Sequence, residues 1–310
     1  MIMKNWKVSQ DELLLNGHVA CQGCGGALAM RLALKALGEN TVITIPACCW
    51  TIISGDVLYH ALKVPVFHTA FETAAITASG LKAGLRMKGK EDTTVMAWAG
   101  DGGTFDIGIQ ALSGAAERNE DIIYAVYDNE AYMNTGIQRS SATPWGAWTT
   151  TTPVRHPEDK PKKNIMEIMA AHGIPYAATA TPAYPEDLIR KFKKAKEIKG
   201  MRFIHILAPC PPGWKIPSDI SIKVARLAVQ TGVFPLYEIE NGKKYTINYL
   251  PPEKPPVVEY LKVQGRFKHL KEEDVELIQK MVDENLNNLL RKHELTHGTL
   301  ENIPKPEFYK

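Results

Sequence analysis

Two short stretches of the 310-residue chain carry side chains able to do chemistry on a ligand. The first joins Gly100-Asp101-Gly102-Gly103, after the apolar run Val95 to Ala99, to Asp128 and Asn129, after the apolar run Ile122 to Tyr127. If the two runs are neighbouring parallel strands, Asp101 and Asn129 meet at their carboxyl ends, where open α/β sheets bind ligands. A helix starting after the glycines would aim free N–H groups and the positive end of its dipole at a phosphate, and glycine lets the backbone come close. Asp101 and Asn129 then offer oxygens to Mg²⁺, which is commonly delivered with phosphate. Gly-Asp-Gly alone is also an ordinary turn. Its setting between a strand, a helix and a second strand makes it a socket for a metal-bound diphosphate.

The second stretch rests on cysteines, at 21, 24, 48, 49 and 210. Met1 to Leu15 is polar and lacks an apolar signal core, so a reducing cytoplasm is the expected compartment and structural disulfides are not expected. Cys21-Gln22-Gly23-Cys24 is a C-x-x-C in a Gly-rich loop before an apolar helix, so two thiolates can grip one metal centre; on the pair alone zinc, iron-sulfur and redox chemistry stay open. Cys49 follows the apolar run Val42 to Pro46 and Cys210 follows Phe203 to Ala208, so the candidates can meet at strand ends. Four thiolates would hold a [4Fe-4S] cluster. Cys48 reads first as a small buried residue and Trp50 as a core tryptophan, the alternatives being that Cys48 lines the reaction pocket and that Trp50 restricts the substrate.

Other patterns carry less. His293-Glu294-Leu295-Thr296-His297 matches a zinc-protease pattern, but Gly298 ends the helix at once and no third ligand is at hand. Arg190, Lys191, Lys193, Lys194 and Lys196 read as a solvated basic face, and His18 as a backbone-bonded loop histidine. With 45% hydrophobic residues and a net charge of +3, neither disorder nor a nucleic-acid footprint is indicated. No run approaches the ~20 apolar residues that span a membrane.

These residues need a scaffold that turns strand ends toward one place. The apolar periodicity predicts helices at 26–37, 73–88, 105–117, 164–172, 185–197, 219–230 and 271–292. Strands are predicted at 41–46, 94–99, 121–127, 176–180 and 202–208, with two short ones near 235–248. This is an α/β chain with a doubly wound parallel sheet. We divide it into a ligand-binding α/β domain, 1–232, and a C-terminal extension or arm, 233–310, packing on the core or a partner. Its last helix carries an apolar stripe of Val275, Ile278, Val282, Leu286 and Leu289. The long polar loop at 130–163 sits where function or a partner is expected.

Residues 17–25 (Gly-His-Val-Ala-Cys-Gln-Gly-Cys-Gly), 100–103, 127–136 (Tyr-Asp-Asn-Glu-Ala-Tyr-Met-Asn-Thr-Gly), 170–176 and 208–214 (Ala-Pro-Cys-Pro-Pro-Gly-Trp) carry a resemblance. The segment from Asp101 to Asn129, 28 positions on, resembles the diphosphate-binding domain of thiamine-diphosphate enzymes. The chain as a whole resembles the thiamine-binding β subunit of 2-oxoacid:ferredoxin oxidoreductases, the pyruvate synthases above all.

The resemblance implies thiamine diphosphate cradled by Gly100, Asp101, Gly102 and Gly103, with Mg²⁺ bound by Asp101, Asn129 and the Ala131 carbonyl. It implies one [4Fe-4S] cluster on Cys21, Cys24, Cys49 and Cys210, since the third ligand lies 25 residues after Cys24 and so falls on Cys49. Ala47-Cys48-Cys49 departs here from the family's Thr-Gly-Cys. Asn134 would donate a hydrogen bond to the oxygen that gains charge as thiamine attacks a 2-oxoacid. The implied reaction oxidatively decarboxylates pyruvate to acetyl-CoA and CO₂, or the reverse, passing electrons through the cluster to ferredoxin. Oxalate and other 2-oxoacids are family alternatives; a non-redox thiamine carboligase and a structural zinc or iron-sulfur subunit are alternatives of other classes. The activating glutamate belongs to another domain in the family, so Glu72 and Glu130 are poor candidates for it. An α subunit completing the site, and γ/δ-type subunits including a ferredoxin-like one, are the implied partners.

Overall fold

The computed structural model describes residues 8–56, 58–301 and 303–304. Residues 1–7 of the polar segment Met1 to Leu15 and the last residues of the extension lie outside them. Eight strands form one sheet: β1 (Thr41–Pro46), β2 (Val66–Thr69), β3 (Thr94–Gly100), β4 (Ile123–Asp128), β5 (Tyr176–Ala180), β6 (Arg202–Leu207), β7 (Tyr237–Glu240) and β8 (Lys244–Ile247). Their order is β2-β1-β3-β4-β6-β5-β7-β8. The first six are parallel, and β7 and β8 are antiparallel additions beside β5.

β3, β4 and β6 are buried along their whole length, which explains why they read as unbroken apolar runs: helices cover both faces. One face packs on α1 (Gly25–Leu37) and α6 (Pro185–Glu197), the other on α3 (Ala74–Met87), α4 (Ile109–Glu117) and α5 (Ile165–Ala171). After β1 the chain turns outward to β2, then crosses back to place β3 on the other side of β1. The carboxyl ends of β1 and β3 therefore diverge at a switch point, and Cys48 and Asp101 lie just beyond them.

Several elements differ from the sequence expectation. β2 is short and half exposed at the sheet edge, so it has no apolar run to announce it. The predicted 105–117 helix begins as a π turn at Gly102–Asp106, and α4 proper starts at Ile109. A short helix, α2 (Cys49–Ile53), starts at Cys49, and another, α7 (Pro211–Trp214), follows Cys210.

The extension does not hang free of the core. β7 and β8 continue the sheet, and α10 (Glu272–His297), longer than predicted, lays Ile278, Val282, Leu286 and Leu289 against it. The α8 helix (Ser221–Gln230) and a short α9 (Val258–Leu261) fill the corner between. No helix among the described residues is long and apolar enough to cross a membrane.

The basic face of α6 is solvated only in part: Arg190, Lys193 and Lys196 are exposed, whereas Lys191 and Lys194 turn to acidic partners. Lys191 is fully buried, bonded to Asp187 at 2.6 Å and to the Thr179 carbonyl at 2.7 Å. Arg190 and Lys194 reach across to Glu238 on β7, and Lys194 also to Glu240 at 2.6 Å. Their acidic partners lie more than 40 residues away in sequence, beyond any local charge pattern. His293 and His297 likewise serve the fold: His293 Nδ1 accepts from the Ile247 amide at 3.0 Å, and His297 Nε2 meets Thr246 Oγ1 at 2.9 Å.

Candidate active site

Asp101, Asn129 and Ala131 converge. One terminal atom of the Asn129 amide lies 3.0 Å from Asp101 Oδ1 and 2.9 Å from the Ala131 carbonyl oxygen. With nitrogen there, the amide donates to both; with oxygen there, three oxygens face one another with no proton between them. Adjacent ligands around Mg²⁺ at 2.0–2.1 Å sit about 2.9 Å apart, so these spacings suit an octahedral edge. The residues therefore fit the metal. The other Asp101 oxygen accepts from Ser140 Oγ at 2.5 Å. Burial, and then the neighbouring Asp128 carboxylate, push Asp101 well above the usual carboxylate range, a cost that a bound cation would relieve.

These groups line a cleft of about 230 Å³ together with Gly100, Gly102 and Gly103. Cys48, Cys49 and Ile52 also line it, as does Asn134, which is exposed. Gly102 is needed for packing: a methyl there would come within 2.1 Å of the Tyr132 ring. Cys48 does line the cleft, contrary to its reading as buried filler, and its thiol is hydrogen-bonded to Tyr127. Trp50 is fully buried, edge-on to Trp98 at 6.0 Å.

All five cysteines are free thiols. The Cys24 loop is tied to the Cys210 loop by a 2.9 Å bond from the Gly25 amide to the Pro209 carbonyl. Burial, then the charge of neighbouring cysteines, pushes Cys49 up to about 12; burial does the same to Cys210, where Cys24 and Cys21 add to it. The charges of Cys24 and Cys210 both bear on Cys49, and a cationic iron centre would relieve that repulsion. Among the described residues no three His, Cys, Asp or Glu side chains stand close enough together to form a metal-ligand group.

Behind the metal loop lies a buried charge network. Asp128 is bonded to Lys162 at 2.5 Å and His205 at 2.7 Å; burial opposes its ionisation, but Lys162 and His205 outweigh that and hold its carboxyl below the usual range. Glu130 is gripped by Lys162 at 2.8 Å and Arg266 at 2.6 Å. Trp214 Nε1 donates to the Asn129 carbonyl at 2.8 Å, and the Trp214 amide donates to the Cys210 carbonyl at 2.8 Å. A larger cleft, about 690 Å³, runs between α5, α10 and the sheet, but neither a cysteine nor the Gly-rich turn lines it.

Residues 54–206 match the family described as thiamine pyrophosphate enzyme, C-terminal TPP binding domain. Ketoisovalerate oxidoreductase subunit VorB of Pyrococcus horikoshii is 54% identical over 304 residues, covering 95% of this chain and 97% of that one. Pyruvate synthase subunit PorB of Methanocaldococcus jannaschii is 53% identical over 285 residues, covering 89% and 95%. The chain belongs to the β subunits of the 2-oxoacid:ferredoxin oxidoreductases. It is thus a subunit of a thiamine-diphosphate-dependent oxidoreductase. A 2-oxoglutarate:ferredoxin oxidoreductase from Magnetococcus marinus, solved with 2-oxoglutarate, coenzyme A and succinyl-CoA bound, shares the α/β fold with TM-score 0.56 over 71% of this chain and 82% of that one, at 22% identity.

Within this β subunit, Asp101, Asn129, Ala131, the glycines, Cys49 and Asn134 share one cleft, while Cys21, Cys24 and Cys210 gather on loops beside it. Ser140, Lys162, Trp214 and Arg266 were not anticipated. Ser140 lies 39 residues from the carboxylate it bonds, and Arg266 lies 136 from Glu130, so no motif spacing could connect them. The Ser- and Thr-rich composition of the 130–163 loop was the one signal available. His18 Nδ1 sits 3.4 Å from the Ala20 amide, a loop-stabilising contact.

Proposed function

We propose that the chain is the half of a 2-oxoacid:ferredoxin oxidoreductase that binds Mg²⁺·thiamine diphosphate and hands electrons to a [4Fe-4S] cluster. The observation that carries this is the shared cleft: Asp101, Asn129, Ala131 and Cys49 all line it. When bound, the thiamine supplies the carbanion chemistry that breaks the bond to CO₂, and the cluster takes up single electrons.

The protein's own work is binding and orientation. Asp101, Asn129 and the Ala131 carbonyl hold the metal, and Gly100 to Gly103 admit the diphosphate. Asn134 presents an amide to the substrate carbonyl oxygen as it gains charge. Cys21, Cys24, Cys49 and Cys210 hold the cluster, from which electrons pass to ferredoxin through a ferredoxin-like subunit. Residues 1–232 bear these groups, 233–310 brace them, and an α subunit supplies the rest of the thiamine site. The cytoplasm is the compartment.

Ala47, Ile52, Phe71 and Met133 line the cleft and among the described residues no Lys, Arg or His does, which supports a substrate with an apolar side chain. Pyruvate, giving acetyl-CoA with CoA as acceptor, is the first reading. A branched 2-oxoacid is the second, favoured by the similarity to ketoisovalerate oxidoreductase subunits. The similarity to ferredoxin-oxidoreductase subunits argues against a carboligase.

The test is anaerobic purification of the assembled complex, with iron and thiamine analysis and ferredoxin reduction by pyruvate, 2-oxoisovalerate, 2-oxoglutarate and oxalate. About four irons on this chain, bound thiamine and turnover of an apolar 2-oxoacid are expected. Zinc in place of iron, no thiamine, or turnover of a diacid alone would refute the reading.

A further inference from the structure

We infer that Arg266, which lies outside every motif described above, is the positioning residue that locks the metal loop and the Cys210 loop into one unit, so that metal affinity and cluster potential are set together. This rests on the metal and cluster reading of the preceding section.

Arg266 is 2% exposed and permanently charged, and such a cation persists only when paired. Its carboxylate partner is Glu130 at 2.6 Å, the residue between Asn129 and Ala131. Glu130 has a φ of +70°, unfavourable for a side chain of its size, so the loop that turns its two neighbours' oxygens inward needs restraint from outside itself. Arg266 and Lys162 provide it.

The same guanidinium lies 4.1 Å over the Trp214 ring. That indole is pinned to the Asn129 carbonyl, and its main chain to the Cys210 carbonyl. One side chain therefore touches, through a single neighbour in each case, a metal ligand and a cluster ligand. Its orientation is itself fixed, by Gln264 Oε1 at 3.0 Å and Tyr260 Oη at 3.3 Å. A fixed cation stacked on Trp214, whose amide bonds the Cys210 carbonyl, favours the state carrying the extra electron, so Arg266 raises the reduction potential.

The test uses the assembled enzyme, prepared anaerobically, carrying Arg266→Met or Arg266→Met with Glu130→Gln; the double variant leaves no orphaned carboxylate. Mg²⁺ affinity is read by equilibrium dialysis of thiamine diphosphate, and the cluster midpoint by electron paramagnetic resonance during a redox titration. Mg²⁺ binding should weaken on the order of 10- to 100-fold, and the midpoint should fall. Arg266→Lys, which keeps the charge without the planar fork, should recover potential more than Mg²⁺ affinity; if the methionine variants fail to assemble, the lysine variant is read in the same assays. A purely structural role would lower the yield of complex and leave both values unchanged in what assembles. Either value staying at the wild-type level in assembled variants overturns the inference. A wild-type complex without a cluster signal or Mg²⁺-dependent thiamine binding overturns the preceding reading instead.

Discussion

Gly25 and Pro209 touch backbone to backbone: the Gly25 amide donates to the Pro209 carbonyl at 2.9 Å, and a methyl group at position 25 would come within 2.6 Å of the proline ring. The contact sets how closely the Cys24 loop approaches the Cys210 loop. Gly25→Ala has to separate them, because both obstructing atoms belong to a rigid ring or the main chain. We expect iron per chain to fall sharply while Mg²⁺-dependent thiamine binding is kept. Full iron content in a folded Gly25→Ala complex would contradict this.

Ser140 holds the Asp101 oxygen that does not face Asn129. Without it the carboxylate is free to rotate away from the metal position. Ser140→Ala should weaken Mg²⁺ binding on the order of 10-fold, with little change in turnover at saturating Mg²⁺. A magnesium titration of thiamine binding checks it; an unaltered curve rules the role out.

Cys48 and Cys49 are adjacent and half buried, yet face different duties. Cys49→Ala should remove a cluster ligand and with it the iron signal. Cys48→Ala should keep the cluster and change KM for the 2-oxoacid, since Cys48 lines the cleft beside Gly100 and Tyr127. Iron analysis and substrate titration of the two variants separate them, and loss of the cluster in Cys48→Ala would reverse the assignment.

Glu238 is buried among Arg190, Lys194, Tyr176 and Asn248. Burial opposes its ionisation, but the charge of Arg190 and the Tyr176 hydrogen bond outweigh that and bring it down to about 2 from 4.5. A depressed carboxylate stabilises the fold fully above about pH 4.5, and that contribution is lost as pH falls toward 2. Arg190 and Lys194 are about half and one-third exposed, so screening trims the effect to about 1–2 kcal/mol. Unfolding of wild type and Glu238→Gln should differ more at pH 6 than at pH 3; an equal difference at both would refute the pairing.

Much of the fold was legible because buried parallel strands write themselves as unbroken apolar runs. Val95 to Ala99 and Ile122 to Tyr127 are such runs, and both are interior strands. Val66 to Thr69 escaped notice because this edge strand buries none of its residues fully and is too short to show a period. Lys191 and Lys194 of α6 were misjudged for a different reason. Charge along a helix shows which face is basic, but whether that face meets water or Glu238 depends on where β7 is placed.

Residue chemistry and short-range spacing were enough to nominate Asp101, Asn129 and the cysteines, because a diphosphate socket and a C-x-x-C are built from neighbours along the chain. Their supports, Ser140 on Asp101, Lys162 and Arg266 on Glu130, and Trp214 between Asn129 and Cys210, came only from tertiary structure. Each is a hydrogen bond or ion pair made across a long loop. Such a bond depends on direction and distance between side chains far apart in sequence, which local periodicity does not encode.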